Sequence, residues 1–151
     1  MLVVCVLPAL TYGLETMALT KEQEKKIQVC ENNWVRRLCG VRLADKRRLK
    51  ELREEVGLDR TVTQRVVEKR LKWAGHLARM EEDRLAKRAA RNDGSQSRSR
   101  GRPRIRWSDC IKRDLTGVNA DKHSWWEWVA AKDVSEWSRI VTQTVESLTS
   151  C

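Results

Sequence analysis

An all-α fold, a helical core with a basic extended arm and a smaller Trp-rich helical lobe, is predicted by three features of this sequence. Apolar residues recur at steps of three and four along every long segment, and period-2 alternation is conceivable only in the first dozen residues. Capping-box signatures open three of these segments, at Thr20-Lys-Glu-Gln23, Thr61-Val-Thr-Gln64 and Ser124-Trp-Trp-Glu127. Glycines stand at segment ends, as at Gly40, Gly57 and Gly117.

The elements follow in order. Met1–Leu14 is an uncharged apolar lead-in; it falls short of the roughly 20 residues that span a bilayer, is broken by Pro8, and lacks the basic start and small-residue cleavage site of a secretory signal. After Thr20, Ile27, Cys30, Trp34 and Leu38 form a stripe that predicts a helix over 21–39, stopped by Gly40. Asp45 is expected to cap a second helix with the stripe Leu49, Leu52 and Val56, ended by Gly57. Thr61 then opens the best-patterned helix, where Val62, Val66, Val67, Leu71, Trp73, Ala74, Leu77 and Ala78 give a wide apolar face reaching Met80. Gly75 lies inside it at a cost of about 1 kcal/mol relative to Ala, which suggests that a neighbouring helix comes close there.

A short helical continuation is expected over 81–90. Asn92–Arg106, rich in Gly, Ser, Arg and Pro, has no apolar period and reads as an extended or disordered arm. Trp107, Cys110, Ile111 and Leu115 predict a short helix. Ser124 caps the next one, and Asp133 or Ser135 starts the last, with Trp137, Ile140, Val141, Val145 and Leu148 on its stripe. The expected segments are an apolar lead-in at 1–20, a helical core at 21–90, the arm at 91–106 and a C-terminal helical lobe at 107–151.

Composition agrees with one thin-cored domain. The 151 residues carry a net charge of +10, with 34% charged residues and a mean hydropathy of −0.63. Seven Trp supply large apolar bodies that a purely solvated chain would not carry, which argues against disorder throughout. Five cysteines at irregular positions fit reduced thiols, and hence the nucleus or cytoplasm, rather than a disulfide framework.

The chemistry of most enzymes has no foothold here. No carboxylate cluster suited to two metal ions appears; Glu81-Glu82-Asp83 reads as a solvated turn. Cys30 and Cys39 are nine residues apart, on opposite sides of one helix, and no paired Cys/His knuckle completes a zinc site. Cys30 and Cys110 are read as small hydrophobes on buried helix faces. His76 and His123 have no nucleophile or carboxylate at catalytic spacing, and no Gly-rich phosphate loop is present. The expectation is therefore no catalytic residue, no metal and no cofactor.

Charge is the informative feature. Residues 60–113 hold 17 basic against 6 acidic residues, whereas the flanking segments 21–59 and 114–151 carry net charges of +3 and −3. Such a local excess suits phosphate neutralisation, in which each placed cation releases condensed counterions. The candidate phosphate contacts are Arg70, Lys72, Arg79, Arg84, Lys87, Arg88 and Arg91, with the arm arginines Arg98, Arg100, Arg102, Arg104 and Arg106. Within the arm, Arg100-Gly-Arg-Pro-Arg104 looks like the core of an AT-hook, which reads A·T-rich minor grooves, although a basic linker touching phosphate alone explains it better. Trp73 and Trp107 are open to two readings, base stacking or core packing, with their apolar stripes favouring the core.

Several runs, in one order, resemble the region that follows the polymerase core in non-LTR retrotransposon reverse transcriptases of the endonuclease–reverse transcriptase type. They are Ala9-Leu-Thr-Tyr-Gly-Leu-Glu-Thr16, Arg36-Arg-Leu-Cys-Gly-Val41, Leu49-Lys-Glu-Leu-Arg-Glu-Glu-Val-Gly-Leu58 and Asp133-Val-Ser-Glu-Trp137. The two longest are Arg70-Leu-Lys-Trp-Ala-Gly-His-Leu-Ala-Arg-Met80 and Gly101-Arg-Pro-Arg-Ile-Arg-Trp-Ser-Asp-Cys-Ile-Lys-Arg-Asp-Leu115. The resemblance implies a helical thumb and post-thumb region that grips template and primer. The motif holding catalytic magnesium in that family is missing, so no activity is carried over.

The expected function is thus a non-catalytic, largely non-specific and salt-dependent nucleic-acid-binding fragment, with RNA and/or DNA as partner, the polymerase core as a further one, and no membrane association. The alternative is a partner-binding or decayed remnant whose basic segment only keeps it soluble.

Overall fold

A computed structural model describes residues 6–91, 105–116 and 125–148, and all regular secondary structure among them is helical. The α-helices are α1 (Leu7–Leu10), α2 (Lys21–Leu38), α3 (Leu49–Val56), α4 (Val62–Arg79), α5 (Leu85–Arg91), α6 (Trp107–Leu115), α7 (Trp125–Ala130) and α8 (Val134–Ser147). The apolar lead-in is therefore helical where it is described, with Pro8 in the first turn of α1, where its missing N–H leaves no helical bond unmade. The proposed continuation over 81–90 is interrupted by a turn before α5. Most of the arm, residues 92–104, and the Ser124 capping box lie outside the described residues.

Two compact units divide the chain, one of Met1–Tyr12 with Thr20–Val66 and one of Gly13–Leu19 with Val67–Cys151. The boundary thus falls within α4 and not in the 91–106 arm. The first turn of α4 serves one core and the rest of the helix serves another.

In the first unit, Leu7, Val35, Leu52, Leu58 and Val62 form the buried cluster. The Thr20 hydroxyl accepts from the Gln23 backbone N–H at 3.2 Å while Gln23 Oε1 accepts from the Thr20 N–H at 2.9 Å, so both ends of the expected capping box close. Gly40 and Gly57 take positive φ values of 65° and 73°, which lets the chain turn back on α2 and α3. The residues after them, Val41 and Leu58, then donate to Arg36 O and Arg53 O at 2.9 and 2.8 Å, the Schellman arrangement.

Two expectations need correction in this unit. Asp45 does not cap α3: it accepts from the Arg42 N–H at 2.7 Å and closes a 3-10 turn over Leu43–Asp45. Lys46 at φ 50° then redirects the chain, and α3 begins only after Arg48, with no side-chain cap. The buried face of α2 is also rotated, since Glu31 and Val35 are fully buried, whereas Leu38 is exposed and Cys30 only half-buried. Glu31 is tolerated because Arg53 donates to it at 2.7 Å and to Asn32 Oδ1 at 2.9 Å, while Gln28 bonds both residues and accepts from Thr63 Oγ1 at 3.0 Å.

The second unit is built on α4. Val67, Leu71, Ala74, Leu77 and Ala78 pack with Trp107, Ile111 and Leu115 of α6, Trp125, Trp126 and Val129 of α7, and Trp137, Val141 and Val145 of α8. Edge-to-face contacts join Trp107 to Trp125, Trp125 to Trp126, and Trp128 to Trp137, at centroid separations of 5.8, 5.1 and 6.1 Å. The 13–19 segment is tied in by backbone acceptors: Trp107 Nε1 donates to Glu15 O at 2.7 Å and Cys110 Sγ to Leu19 O at 3.5 Å.

Gly75 has the packing role its position suggests. A Cβ there would overlap the Trp137 indole, whose Nε1 donates to Leu71 O at 3.0 Å, one turn earlier on α4. The absence of a side chain makes the notch, and the indole fills it. Asp133 caps α8 by accepting from the Glu136 N–H at 2.6 Å, and that bond, aided by the Ser135 hydroxyl, holds its carboxyl below the usual range.

Gly75→Ala is expected to destabilise the protein by about 2 kcal/mol, because overpacking and loss of the indole hydrogen bond outweigh a helix-propensity gain of about 1 kcal/mol. Urea unfolding checks this. A more stable Gly75→Ala protein would show that the notch is not filled.

Candidate nucleic-acid interface

The basic block divides into cations used inside the protein and cations left at its surface. Two of the sequence-derived phosphate contacts belong to the first kind. Arg70 is fully buried on α4, and its Nη1 donates to Asp114 Oδ2 on α6 at 2.6 Å, with the Asp114 side chain only 5% exposed. A charge so placed is matched within the protein and has no access to phosphate. Lys87 on α5 is also buried. Its Nζ donates to Ala78 O at 3.2 Å and Met80 O at 2.5 Å, and pairs with Glu82 at 2.8 Å. It therefore closes the C-terminal end of α4, where orphan carbonyls and the helix dipole favour a cation.

The remaining described candidates reach solvent. Lys72 is exposed and pairs with Glu68 one turn earlier at 2.6 Å. Arg84 is exposed with only a long 3.9 Å approach to Glu81. Arg91 pairs with Glu82, and its guanidinium lies 5.5 Å from the Trp126 ring centre. Arg79 and Arg88 are exposed and make no ion pair with any described residue. Arg106 is half-buried at the N-terminus of α6, where its backbone N–H donates to Asp109 at 3.1 Å. Arg98, Arg100, Arg102 and Arg104 lie outside the described residues.

Surface pairs of this kind are worth little in water, so Lys72, Arg84 and Arg91 can exchange a carboxylate for a phosphate at small cost. The Lys87 ammonium beside Glu82 holds that carboxyl below its usual range, and Arg91 acts in the same direction.

Sequence reasoning did not anticipate a cleft of about 380 Å³ within the second unit, lined by Thr16, Trp73, Leu77, Ala86, Ala89, Ala90 and Trp107. Ala86, Ala89 and Ala90 share one face of α5 by their three- and four-residue spacing, which is the signal available in the sequence. Trp73 is half-buried and Trp107 buried, so both have the packing role their stripes implied, and both also present surface to the cleft. His76 is exposed, and its ring lies 5.4 Å from that of Trp73 between centres, tilted by 34°. No helix among the described residues is long and apolar enough to cross a membrane.

This chain is similar to an uncharacterized transposon-derived protein of Caenorhabditis elegans, with 30% identity over 141 residues, which is 90% of this chain and 50% of that protein. The chain thus spans about half the length of the curated relative it matches. No family model matches the sequence, and no solved structure matches the fold.

Breaking the buried pair through Asp114→Ala should cost about 3–5 kcal/mol, whereas Arg70→Met with Asp114→Leu should recover most of the loss. The double variant separates packing from ligand binding. Denaturant unfolding reads its stability, and a salt series on labelled nucleic acid should show an unchanged slope.

The Glu82 carboxyl, being depressed in the folded protein, contributes stability above its ordinary pKa, and that contribution is lost as pH falls through the depressed value. Lys87→Met should move the Glu82 titration seen by NMR upward, towards the ordinary glutamate range. An unmoved titration would mean that Lys87 does not hold this carboxylate.

Proposed function

We propose that the chain is a non-catalytic nucleic-acid-binding segment derived from a retrotransposon reverse transcriptase, gripping the backbone of template and primer largely without regard to sequence. The observation that carries this reading is the segregation of charge on α4 and α5. Arg70 and Lys87 are matched internally, while Lys72, Arg79, Arg88 and Arg91 are exposed on the same two helices and Arg84 is exposed in the turn between them. These five cations, with the arm arginines that follow α5 in the chain, supply a short series of phosphate contacts.

The similarity to a transposon-derived protein supports an origin in a mobile element. The ordered motifs around Arg70–Met80 and Gly101–Leu115 support the thumb and post-thumb region within it. Backbone contacts fix register without reading bases, so RNA, DNA and a hybrid are all admissible ligands.

Fluorescence anisotropy on an RNA hairpin, an RNA–DNA hybrid and a DNA duplex, each over a salt series, tests the proposal. Saturable binding is expected with log Kd steeply dependent on log salt, about 0.9 per phosphate neutralised on duplex DNA. Changing Arg98, Arg100, Arg102, Arg104 and Arg106 to Gln should flatten that slope by up to about 4 units, whereas Arg36→Gln with Arg37→Gln should leave it unchanged. Unaltered affinity and slope in the five-arginine variant would remove the arm from the interface.

A further inference from the structure

Lys69, Lys72, His76 and Arg79 are the exposed residues of α4; every other residue of that helix is buried or half-buried. At about 100° per residue, positions 69, 72, 76 and 79 fall within an arc of about 80° and span about 15 Å along the axis. His76 lies inside that arc, one turn after Lys72 and one turn before Arg79. Its three companions are cations throughout the neutral range, whereas a histidine side chain gains its charge only as pH falls from about 8 to about 5.

The imidazole is open to a ligand. Its ring lies against that of Trp73, which packs on the core, and this contact limits the freedom it has to lose on binding. Among the described residues His76 makes no hydrogen bond or ion pair, so its ring nitrogens have no acceptor or donor there.

The neighbouring elements bring no opposing charge to it. On the Gly75 side the row is bordered by the Trp137 indole of α8, and on the Trp73 and Leu77 side by Thr16, by Ala86, Ala89 and Ala90 of α5 and by Trp107 of α6. Of the carboxylates that flank the row in the chain, Glu68 pairs with Lys72, Glu81 lies by Arg84, and Glu82 pairs with Lys87 and Arg91. Protonation of His76 thus puts a like charge at i,i+4 from Lys72 and i,i+3 from Arg79, a repulsion that a bound polyanion relieves.

We propose that His76 is a pH-dependent phosphate contact: as the imidazolium it completes a row of four cations on α4, so that the protein grips a nucleic-acid backbone more tightly in acid. This rests on the nucleic-acid reading above and deepens it, because it makes the number of neutralised phosphates a function of pH.

The full chain is titrated by anisotropy against a DNA duplex carrying a pH-insensitive dye, over a salt series at about pH 5.5 and about pH 8. The slope of log Kd on log salt should be steeper in acid by about 0.9, one further phosphate. His76→Gln should hold the shallower slope at both pH values, His76→Lys the steeper one at both, and His123→Gln should keep the full pH dependence. A slope that does not change with pH in the unaltered protein, or that changes as much in His76→Gln, overturns the proposal.

If no binding is seen at any salt or pH, the proposed function fails, and the row is then tested alone by NMR titration of His76 with inorganic pyrophosphate against chloride of equal ionic strength. A titration midpoint moved upward by pyrophosphate supports an anion site that prefers the imidazolium. An unmoved midpoint overturns it.

Discussion

The wide burial of α4 is the constraint on which the rest of the structure depends. Val62, Val66, Val67, Arg70, Leu71, Ala74, Gly75, Leu77 and Ala78 are all buried, an arc well beyond the narrow stripe of a surface helix. A helix covered on so many sides needs neighbours shaped to it. The Trp137 indole enters the notch at Gly75, and Trp residues of α6 and α7 fill the larger gaps in the same core. Seven Trp and no Phe in a thin-cored chain then make physical sense, because a few large rigid bodies close a core that short helices of small residues would leave open.

The same burial determines which charges are available for binding. Arg70 falls within the buried arc of α4 and is tolerable there because Asp114 meets it. Lys87 turns inward because the end of α4 presents carbonyls that need a donor. In the first unit, Arg53 and the Gln28 amide perform the equivalent service for Glu31. Net charge alone therefore overstates the electrostatic surface of this protein, and the exposed cations on α4 and α5 are the relevant set.

Local chemistry made much of the fold legible. The Thr20 and Thr61 capping boxes, the turns at Gly40 and Gly57, and the start of α8 at Asp133 are all short-range, since the partners of each hydrogen bond lie within a few residues of one another. Asp45 shows the limit of such reasoning. A good capping residue was present, but a left-handed Lys46 assigned it to a different turn.

The sequence by itself determined the helical class, most helix starts and stops, the concentration of positive charge and the likeness to a mobile-element protein, because these rest on periodicity, capping and composition. Only the tertiary structure decided which residues face inward. Arg70, Lys87 and Glu31 look like solvated charges in any local window, and each is buried because a partner from another element, or from a distant point in the chain, reaches it. The cleft of Trp73, Ala89 and Trp107 is likewise invisible in one dimension, since its two indoles are separated by more than thirty residues and meet only through packing.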